Sequence, residues 1–442
     1  MTPRFSNYRE HIDELVHAAL AAVDPATAVS RHLTRQDNKL IINQTTTIDL
    51  AQGRLFLVSA GKAALPMLDA AAHKVGDALT AAIAITKVIP SPYQPPHPAI
   101  QIHQGSHPIS DEKSVSATTA VHKFLQQTTA NDLVLCLISG GASALLTKPL
   151  IPLADWQALN QAMLASGCTI NEFNTVRRQL DAVKGGGLSS WAAPSRTISL
   201  ILSDVVGNPL EFIGSGPTVP GTDTAADAMQ VLQQYDIAKQ LDNAAWQAIS
   251  KQVIAGHEQP TGNSVAASDH VIIGDVRKAA EAALHKAQEL GFSSQLLTAQ
   301  LAGEAREVGL VTAAIAKDTP PNHCLILGGE TTVTLRGQGK GGRSLETALS
   351  AALALDGWPH RVVASFATDG EDGSTDVAGA VVTGTTVASG KPEINAIAYL
   401  NHNDSYHYFQ KLDEQETAHT LIKTGSTGTN VNDLVIILTY QT

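Results

Sequence analysis

Leu133-Val-Leu-Cys-Leu-Ile-Ser-Gly-Gly-Ala-Ser143 decides how the rest of the chain is read: six apolar residues run without interruption and end on a turn of serine, glycine and alanine. An apolar run of that length bounded by glycine suits a strand buried on both faces, as in parallel sheets covered by helices. The rhythm repeats in both directions. Upstream, Leu55–Val58 reads as a strand, 62–75 as the helix after it, and 82–88 as a second strand. Downstream, 153–166 and 170–183 read as helices, and 197–202 as a strand closing on Ser203-Asp-Val-Val-Gly207. Glycine or acidic clusters therefore fall at the carboxyl ends of strands, where open α/β sheets bind ligands.

Ala255 to Asp269 is polar, carries Gly, Pro and Asn, and lacks an apolar period, so it reads as a linker. Beyond it the rhythm restarts: a strand at 271–273, helices at 276–290 and 304–317, and strands at 325–327 and 332–335. A helix at 344–355 and strands at 362–366 and 434–438 complete it. A chain of 442 residues exceeds one ordinary core. The expected organisation is a Rossmann-like domain over 1–254, a linker over 255–269 and a second α/β domain over 270–442. The fold class is α/β, with largely parallel sheets.

Composition narrows the function. The chain is 43% hydrophobic with 30 basic against 41 acidic residues, a formal charge of −11, so no overall field attracts nucleic acid or an anionic membrane. An anionic small substrate needs a local basic site instead. Cys136, Cys168 and Cys324 are far apart and read as thiols in a reducing compartment. The first ten residues lack the apolar core of a secretory signal, and no later stretch is long and apolar enough to span a bilayer, so the expected location is cytoplasmic.

Five groups of residues could carry chemistry. Gly337-Gln-Gly-Lys-Gly-Gly-Arg-Ser344 follows a strand and precedes a helix, with Lys340 and Arg343 among four glycines. Such a loop can turn backbone N–H groups toward an anion, and its Gly337, Gly339 and Gly342 also satisfy G-x-G-x-x-G, a dinucleotide fingerprint. A flexible connecting loop is the plain alternative. Ser139, Gly140, Gly141 and Ser143 could pass close to a phosphate, with the Ser143 hydroxyl as donor, or form a tight turn chosen for packing. Lys62 opens a helix, where a cation opposes the helix dipole, which suggests an anionic ligand; a solvated lysine is the alternative. Asp204 and Asp369 sit at strand ends, where a carboxylate can bind Mg²⁺ or take a proton, whereas Glu371, Asp372 and Asp376 read as structural or solvated. Gly214-Ser-Gly-Pro-Thr218 and 424–430 are donor-rich turns. No P-loop, H-E-x-x-H, C-x-x-C or G-x-S-x-G motif occurs.

Taken in order, Ser59-Ala-Gly-Lys-Ala63, Gly105-Ser-His-Pro108, Leu137-Ile-Ser-Gly-Gly141, 171–186, Leu202-Ser-Asp-Val-Val-Gly207 and Gly214-Ser-Gly-Pro-Thr-Val-Pro220 resemble the class II glycerate 2-kinases. The resemblance continues through Gly328-Gly-Glu-Thr-Thr-Val333, Gly339-Lys-Gly-Gly-Arg343, Thr368-Asp-Gly370 and Thr427-Gly-Thr-Asn-Val-Asn-Asp433, in the part that the family calls the MOFRL domain. Each segment is weak alone; the ordered set is specific and covers nearly the whole chain.

The resemblance implies transfer of the ATP γ-phosphoryl group to the 2-hydroxyl of D-glycerate, with Mg²⁺, in a cleft between two α/β domains. It places Lys62, Arg343 and Asp369 along that cleft. On this reading Lys62 and Arg343 neutralise the substrate carboxylate and the γ-phosphoryl oxygens. Asp369 holds Mg²⁺ or receives the hydroxyl proton, with Asp204 as second carboxylate. The Ser139–Ser143 turn and Gly216 cradle nucleotide phosphates, with Lys340 nearby. The expected partners are D-glycerate and ATP, with no nucleic acid or membrane, and a homodimer is the assembly to test. Two departures stand out: Ser344-Leu-Glu346 where the family usually has Asn-Gln-Glu, and Ala367 where it tends to have Gly. The rival functions are a nicotinamide-dependent hydroxypyruvate reductase and a non-catalytic sugar-acid or nucleotide sensor.

Overall fold

Leu133–Ile138 is a strand with all six residues buried, and it lies in the middle of a six-stranded sheet. The computed structural model describes residues 2–256, 268–390, 393–415 and 419–441. It divides into two units, one formed by 25–273 and the other by 1–24 with 274–442.

In the unit formed by 25–273, β1 (Leu33–Gln36), β2 (Lys39–Ile42) and β3 (Thr46–Asp49) make an antiparallel meander. The main sheet contains β4 (Leu55–Ala60), β5 (Leu79–Thr86), β6 (Ile100–Gln104), β7 (Leu133–Ile138), β8 (Arg196–Leu202) and β9 (Ser268–Gly274), in the order β6-β5-β4-β7-β8-β9. Pairs β4–β5, β4–β7, β5–β6 and β7–β8 are parallel. This is the doubly wound Rossmann order, whose direction reverses between β4 and β7. Phe56, Val58, Val134 and Cys136 share one core with Val121, Phe124 and Leu188, while Leu55, Leu57, Leu135 and Leu137 are buried as well. Burial on both faces explains why the central strands are continuously apolar. Helices Leu153–Ala165, Ile170–Leu180, Ala225–Gln234 and Asn243–Ala255 form a separate cluster around Trp156, Leu159, Phe173 and Ile249. Thr169 with Glu172, and Thr224 with Asp227, close capping boxes that start two of these helices.

The other unit has β10 (Ser293–Glu304), β11 (His323–Thr332), β12 (Arg361–Ala367), β13 (Gly379–Thr383), β14 (Leu421–Ile422) and β15 (Asp433–Thr439), in the order β10-β11-β15-β12-β13-β14. The expectation of parallel strands holds in the first sheet and for β10–β11 here. The remaining four pairings of this second sheet are antiparallel, because β15 inserts between β11 and β12 against both of them. Leu345, Leu349, Tyr408, Phe409 and Ile437 belong to its core.

The expected division at 255–269 changes in two ways. Helix Tyr8–Ala22 belongs with the second unit, where Ile12, Leu15, Val16 and Ala19 are buried as it packs on helix Val276–Glu289. Arg9 ties its start to the carbonyls of His419 and Leu421 at 2.9 and 3.1 Å. The run at 271–273, expected to open the second domain, is instead part of β9 in the first sheet, where His270 meets the Thr218 carbonyl at 3.1 Å. Most of the expected linker, residues 257–267, lies outside the described residues. No helix among the described residues is long and apolar enough to cross a membrane.

The placement of the first helix is testable. Leu15→Ala should remove about 2–5 kcal/mol of stability from the second unit, read by denaturant titration, and should speed amide exchange in helix Val276–Glu289. Unchanged exchange there would contradict the packing.

Candidate active site

Where strand order reverses, the turns after β4 and β7 lie against each other. The Lys62 N–H donates to the Gly140 carbonyl at 2.8 Å, and the Ala63 N–H to Ser139 Oγ at 3.1 Å. A Cβ on Gly61 would lie 2.1 Å from Ser139 Oγ, and one on Gly140 would lie 2.4 Å from Asp204 Oδ2, so neither position tolerates a side chain. Gly141 has φ +83°, and its missing Cβ faces His107 at 3.1 Å and Lys62 Cγ at 3.2 Å. Lys62, Gly140, Gly141 and Asp204, singled out in the sequence, thus come together. His107 joins them.

Among the described residues no acceptor takes the N–H groups of Gly140, Gly141 or Ser143. Unspent amides beside an exposed lysine suit an anion. His107 is half-buried, and burial, then Lys62 and Lys87, push its imidazole down to about 4, so it is neutral at physiological pH. Only its place in Gly105-Ser-His-Pro108 marked it in the sequence.

Three expectations in this unit change. Ser139 is buried and spends its hydroxyl on Ala63, so it positions the neighbouring turn. Gly216 donates its N–H to Ile213 at 3.0 Å and gives its carbonyl to Gly186 at 2.8 Å, which makes it scaffold and not a phosphate donor. Ser143 Oγ lies 3.1 Å from Ser215 Oγ, which in turn donates to Asn174 Oδ1 at 2.9 Å. Since each hydroxyl has one proton, Ser143 is the donor to Ser215, and its backbone N–H is what it offers a ligand. Lys184, Asn174 and Ser215 support this turn; the sequence marked only the stretches that hold them, the donor-rich Gly214–Thr218 turn and 171–186, and not these side chains.

In the second unit β15 begins at Asp433, which pairs with Gly329 of β11 and Ala367 of β12. That register gathers Glu330, Asp369 and Asp433 at one end of the sheet. Arg343 opens helix Arg343–Leu355 and forks onto Asp433, Nε at 2.5 Å and Nη2 at 3.1 Å, while Nη1 meets Glu330 at 2.5 Å. Burial alone would lower the guanidinium, but Asp433 and Glu330 outweigh it and hold Arg343 charged. Asp369 is half-buried; its Oδ1 accepts from Glu371 N–H at 3.2 Å and its carbonyl from Thr427 N–H at 3.2 Å. Asp372, expected to be a structural or solvated turn residue, is structural: it is buried and accepts from Ser344 and Leu345 N–H at 3.1 and 2.7 Å, capping that helix from a distant loop.

The first part of the loop Gly337–Gly342 spends its amides within the protein. Arg336 and Gly337 N–H donate to Asn403 Oδ1 at 2.6 and 3.0 Å, Gly339 N–H to the His402 carbonyl at 3.0 Å, and Lys340 N–H to Asp404 Oδ1 at 2.8 Å. Side chains at Gly337 and Gly339 would strike the backbone of His402 and Asp404 at 2.4–2.7 Å. Gly337 and Gly339 serve close packing, and their amides, with those of Arg336 and Lys340, are spent, whereas Gly341 and Gly342 N–H have no acceptor among the described residues. Lys340 lies over the Tyr406 ring at 4.3 Å.

The fold and the two clusters define a class: a two-unit α/β protein with unspent amides and a lysine on strand-end turns of one unit, an arginine held by two carboxylates in the other, and no P-loop motif. Known proteins narrow it. Residues 11–250 match the domain of unknown function DUF4147, and residues 323–433 match the MOFRL family. The chain is 37% identical to D-glycerate 2-kinase of Thermotoga maritima over 96% of both chains, and 36% identical to a putative hydroxypyruvate reductase of Agrobacterium vitis over 97% of this chain and 94% of that one. It superposes on the crystal structure of glycerate kinase from Thermotoga maritima with a TM-score of 0.85 at 36% identity, covering 98% of this chain and all of that one. The chain belongs to the glycerate 2-kinase family.

Burial pushes Asp372 up to about 6, with Asp369 adding to the rise against the lowering by the two N–H groups and Arg343. The folded chain therefore keeps a proton that the unfolded chain releases near the ordinary carboxyl range. The contribution to stability is full at acid pH and is lost as pH rises from about 4 to about 6. Stability measured by denaturant across that window should fall more steeply in the wild type than in Asp372→Asn; parallel profiles would refute the shift.

Proposed function

We propose that this chain phosphorylates D-glycerate at the 2-hydroxyl with ATP, giving 2-phosphoglycerate and ADP. The observation that supports it best is the turn of unspent amides at Gly140, Gly141 and Ser143, flanked by Lys62, His107 and Asp204, in a chain similar over its length to proteins named glycerate 2-kinase.

In this reading the amide turn and Lys62 hold phosphate oxygens. Arg343 takes the other anionic group through Nη1, where the partly exposed Glu330 is the contact an incoming anion replaces while the Asp433 fork keeps the guanidinium oriented. The 2-hydroxyl oxygen attacks the γ-phosphorus, the bond to the β–γ bridging oxygen breaks, and ADP leaves. The hydroxyl proton passes to a carboxylate, for which Asp369 is the candidate.

Mg²⁺ fits the residues present. Asp204 places a carboxylate oxygen against Gly140, beside the amide turn, and a kinase-type Mg²⁺ uses one or two carboxylates with substrate phosphates and water. Among the described residues no group of three His, Cys, Asp or Glu side chains forms an all-protein cage. Asp204 is the first ligand to test and Asp369 the second; the ion, when bound, neutralises phosphate charge. The free thiols Cys136, Cys168 and Cys324 support a reducing, cytoplasmic location.

Purified protein with ATP, Mg²⁺ and D-glycerate should give a single phosphomonoester, identified by phosphorus NMR as 2-phosphoglycerate; 3-phosphoglycerate, or ATP turnover independent of glycerate, would overturn the reading. Lys62→Ala and Arg343→Ala should each lower kcat about 10²–10³-fold with the fold intact. Near-normal turnover in either variant removes that residue from the mechanism.

A further inference from the structure

Lys184 is fully buried, yet its ammonium touches no carboxylate among the described residues. Nζ donates to the carbonyls of Ser143 at 2.8 Å, Leu146 at 2.6 Å and Gly214 at 3.4 Å. Three donors meet three acceptors, and the acceptors come from two separate turns. The backbone beside Lys184 is bound to one of these turns as well: Gly185 N–H donates to Ser215 at 3.2 Å, and Gly186 N–H to Gly216 at 2.8 Å. Asn174, Ser215 and Ser143 form the parallel side-chain link between the same two turns.

We propose that Lys184 is a positioning residue for nucleotide binding, a buried cation that gathers the carbonyls of Ser143, Leu146 and Gly214 behind the Gly140–Ser143 turn and so aims the turn's amides at an anion. The proposal rests on the reading of that turn as the phosphate site. In a helical turn carbonyls and N–H groups point in opposite directions, so a cation that draws the carbonyls of 143 and 146 to one end leaves the N–H groups facing the other. A buried charge is costly unless compensated. The charged groups that act on it are Asp181, which favours the ammonium, and Arg177, which opposes it. Asp181 is itself occupied by Thr147 Oγ1 at 2.5 Å, Lys148 N–H at 2.9 Å and Val183 N–H at 3.0 Å. An anion on the far side of the turn therefore gives Lys184 a compensation that the protein supplies only in part.

Protonation and nucleotide affinity are then linked. Burial lowers the Lys184 ammonium to about 8, against the raising by Asp181 and with Arg177 adding to the fall. The charged form and all three contacts are present below that pH; above it one donor and the charge are lost. A nucleotide held by the turn favours the charged form, and the coupling is reciprocal.

The test is ATP binding by the full chain, followed by calorimetry from about pH 7 to about pH 9.5, in the wild type, Lys184→Met and Gly141→Ala. In the wild type, affinity should fall about tenfold as pH rises through the lysine's titration. Lys184→Met should bind ATP about tenfold more weakly at the lower pH, lose the pH dependence, and raise the KM for ATP while leaving that for glycerate unchanged. Gly141→Ala, which places a side chain against His107 and Lys62, should weaken ATP at every pH. Unchanged ATP affinity in Gly141→Ala would mean that the turn is not the nucleotide site, and the proposal falls with that reading. Weakened binding in Gly141→Ala, with a pH-flat wild type or a wild-type-like Lys184→Met, would overturn the role of Lys184 alone. Should Lys184→Met fail to fold, the wild-type pH profile decides by itself.

Discussion

The passage of one turn across another without side chains is the constraint on which the first unit depends. Sheet order reverses between β4 and β7, so the chain leaves these neighbouring strands toward opposite faces and opens a crevice at their carboxyl ends. Gly61 lets the two turns approach until Lys62 N–H bonds to the Gly140 carbonyl, and Gly140 leaves room for the Asp204 carboxylate. That contact sets the rest. Ser139 is drawn in to cap Ala63, Lys62 is left exposed, the Gly140 and Ser143 carbonyls are taken by Lys62 N–H and Lys184, and the N–H groups of Gly140, Gly141 and Ser143 have no acceptor among the described residues. A methyl at Gly61 would separate the turns and undo these placements together, and one at Gly140 would displace Asp204.

The second unit meets the need for an oriented cation in another way. Its sheet is mostly antiparallel, so strand ends of both polarities meet at one edge, and the start of β15 brings Asp433 between the ends of β11 and β12. A buried carboxylate there would be costly alone; the Arg343 fork compensates it and in return loses its rotational freedom. Asp372 fixes the other end of the problem by holding the first amides of the helix that Arg343 opens. Position and direction of the guanidinium thus come from two different buried aspartates.

The first sheet was largely legible because two-sided burial writes itself as continuous apolar runs: β4, β7 and β8 fall where those runs are, and their terminal turns carry the glycines, Lys62 and Asp204. β10 was not legible. Its Ser293-Ser-Gln-Leu-Leu-Thr-Ala-Gln sequence lies at a sheet edge, with bulges and mostly exposed or half-buried residues, and so lacks both the apolar run and clean alternation. No element was read over Tyr8–Ala22, and which core that helix joins depends on partners nearly the whole chain away, such as His419 and Leu421. Lys184 escaped for a related reason. Lys-Gly-Gly-Gly looks like a solvated turn, and only the tertiary contacts with 143, 146 and 214 make it a buried cation.

Two glycine-rich loops of similar appearance differ in acceptor supply. Around 139–143 the neighbouring backbone takes few of the amides; beside 336–342 the segment 402–405 takes four of them and leaves no room for a Cβ. The same packing gives meaning to Ser344-Leu345, which stand where the family usually carries an amide pair. Both side chains are buried, Leu345 in the hydrophobic core, and Ser344 Oγ has no partner among the described residues. A glutamine amide buried at 345 would need its own hydrogen bonds, at a cost of roughly 1–3 kcal/mol if they were missing; leucine removes that demand. The substitution therefore acts on the packing of the helix that carries Arg343.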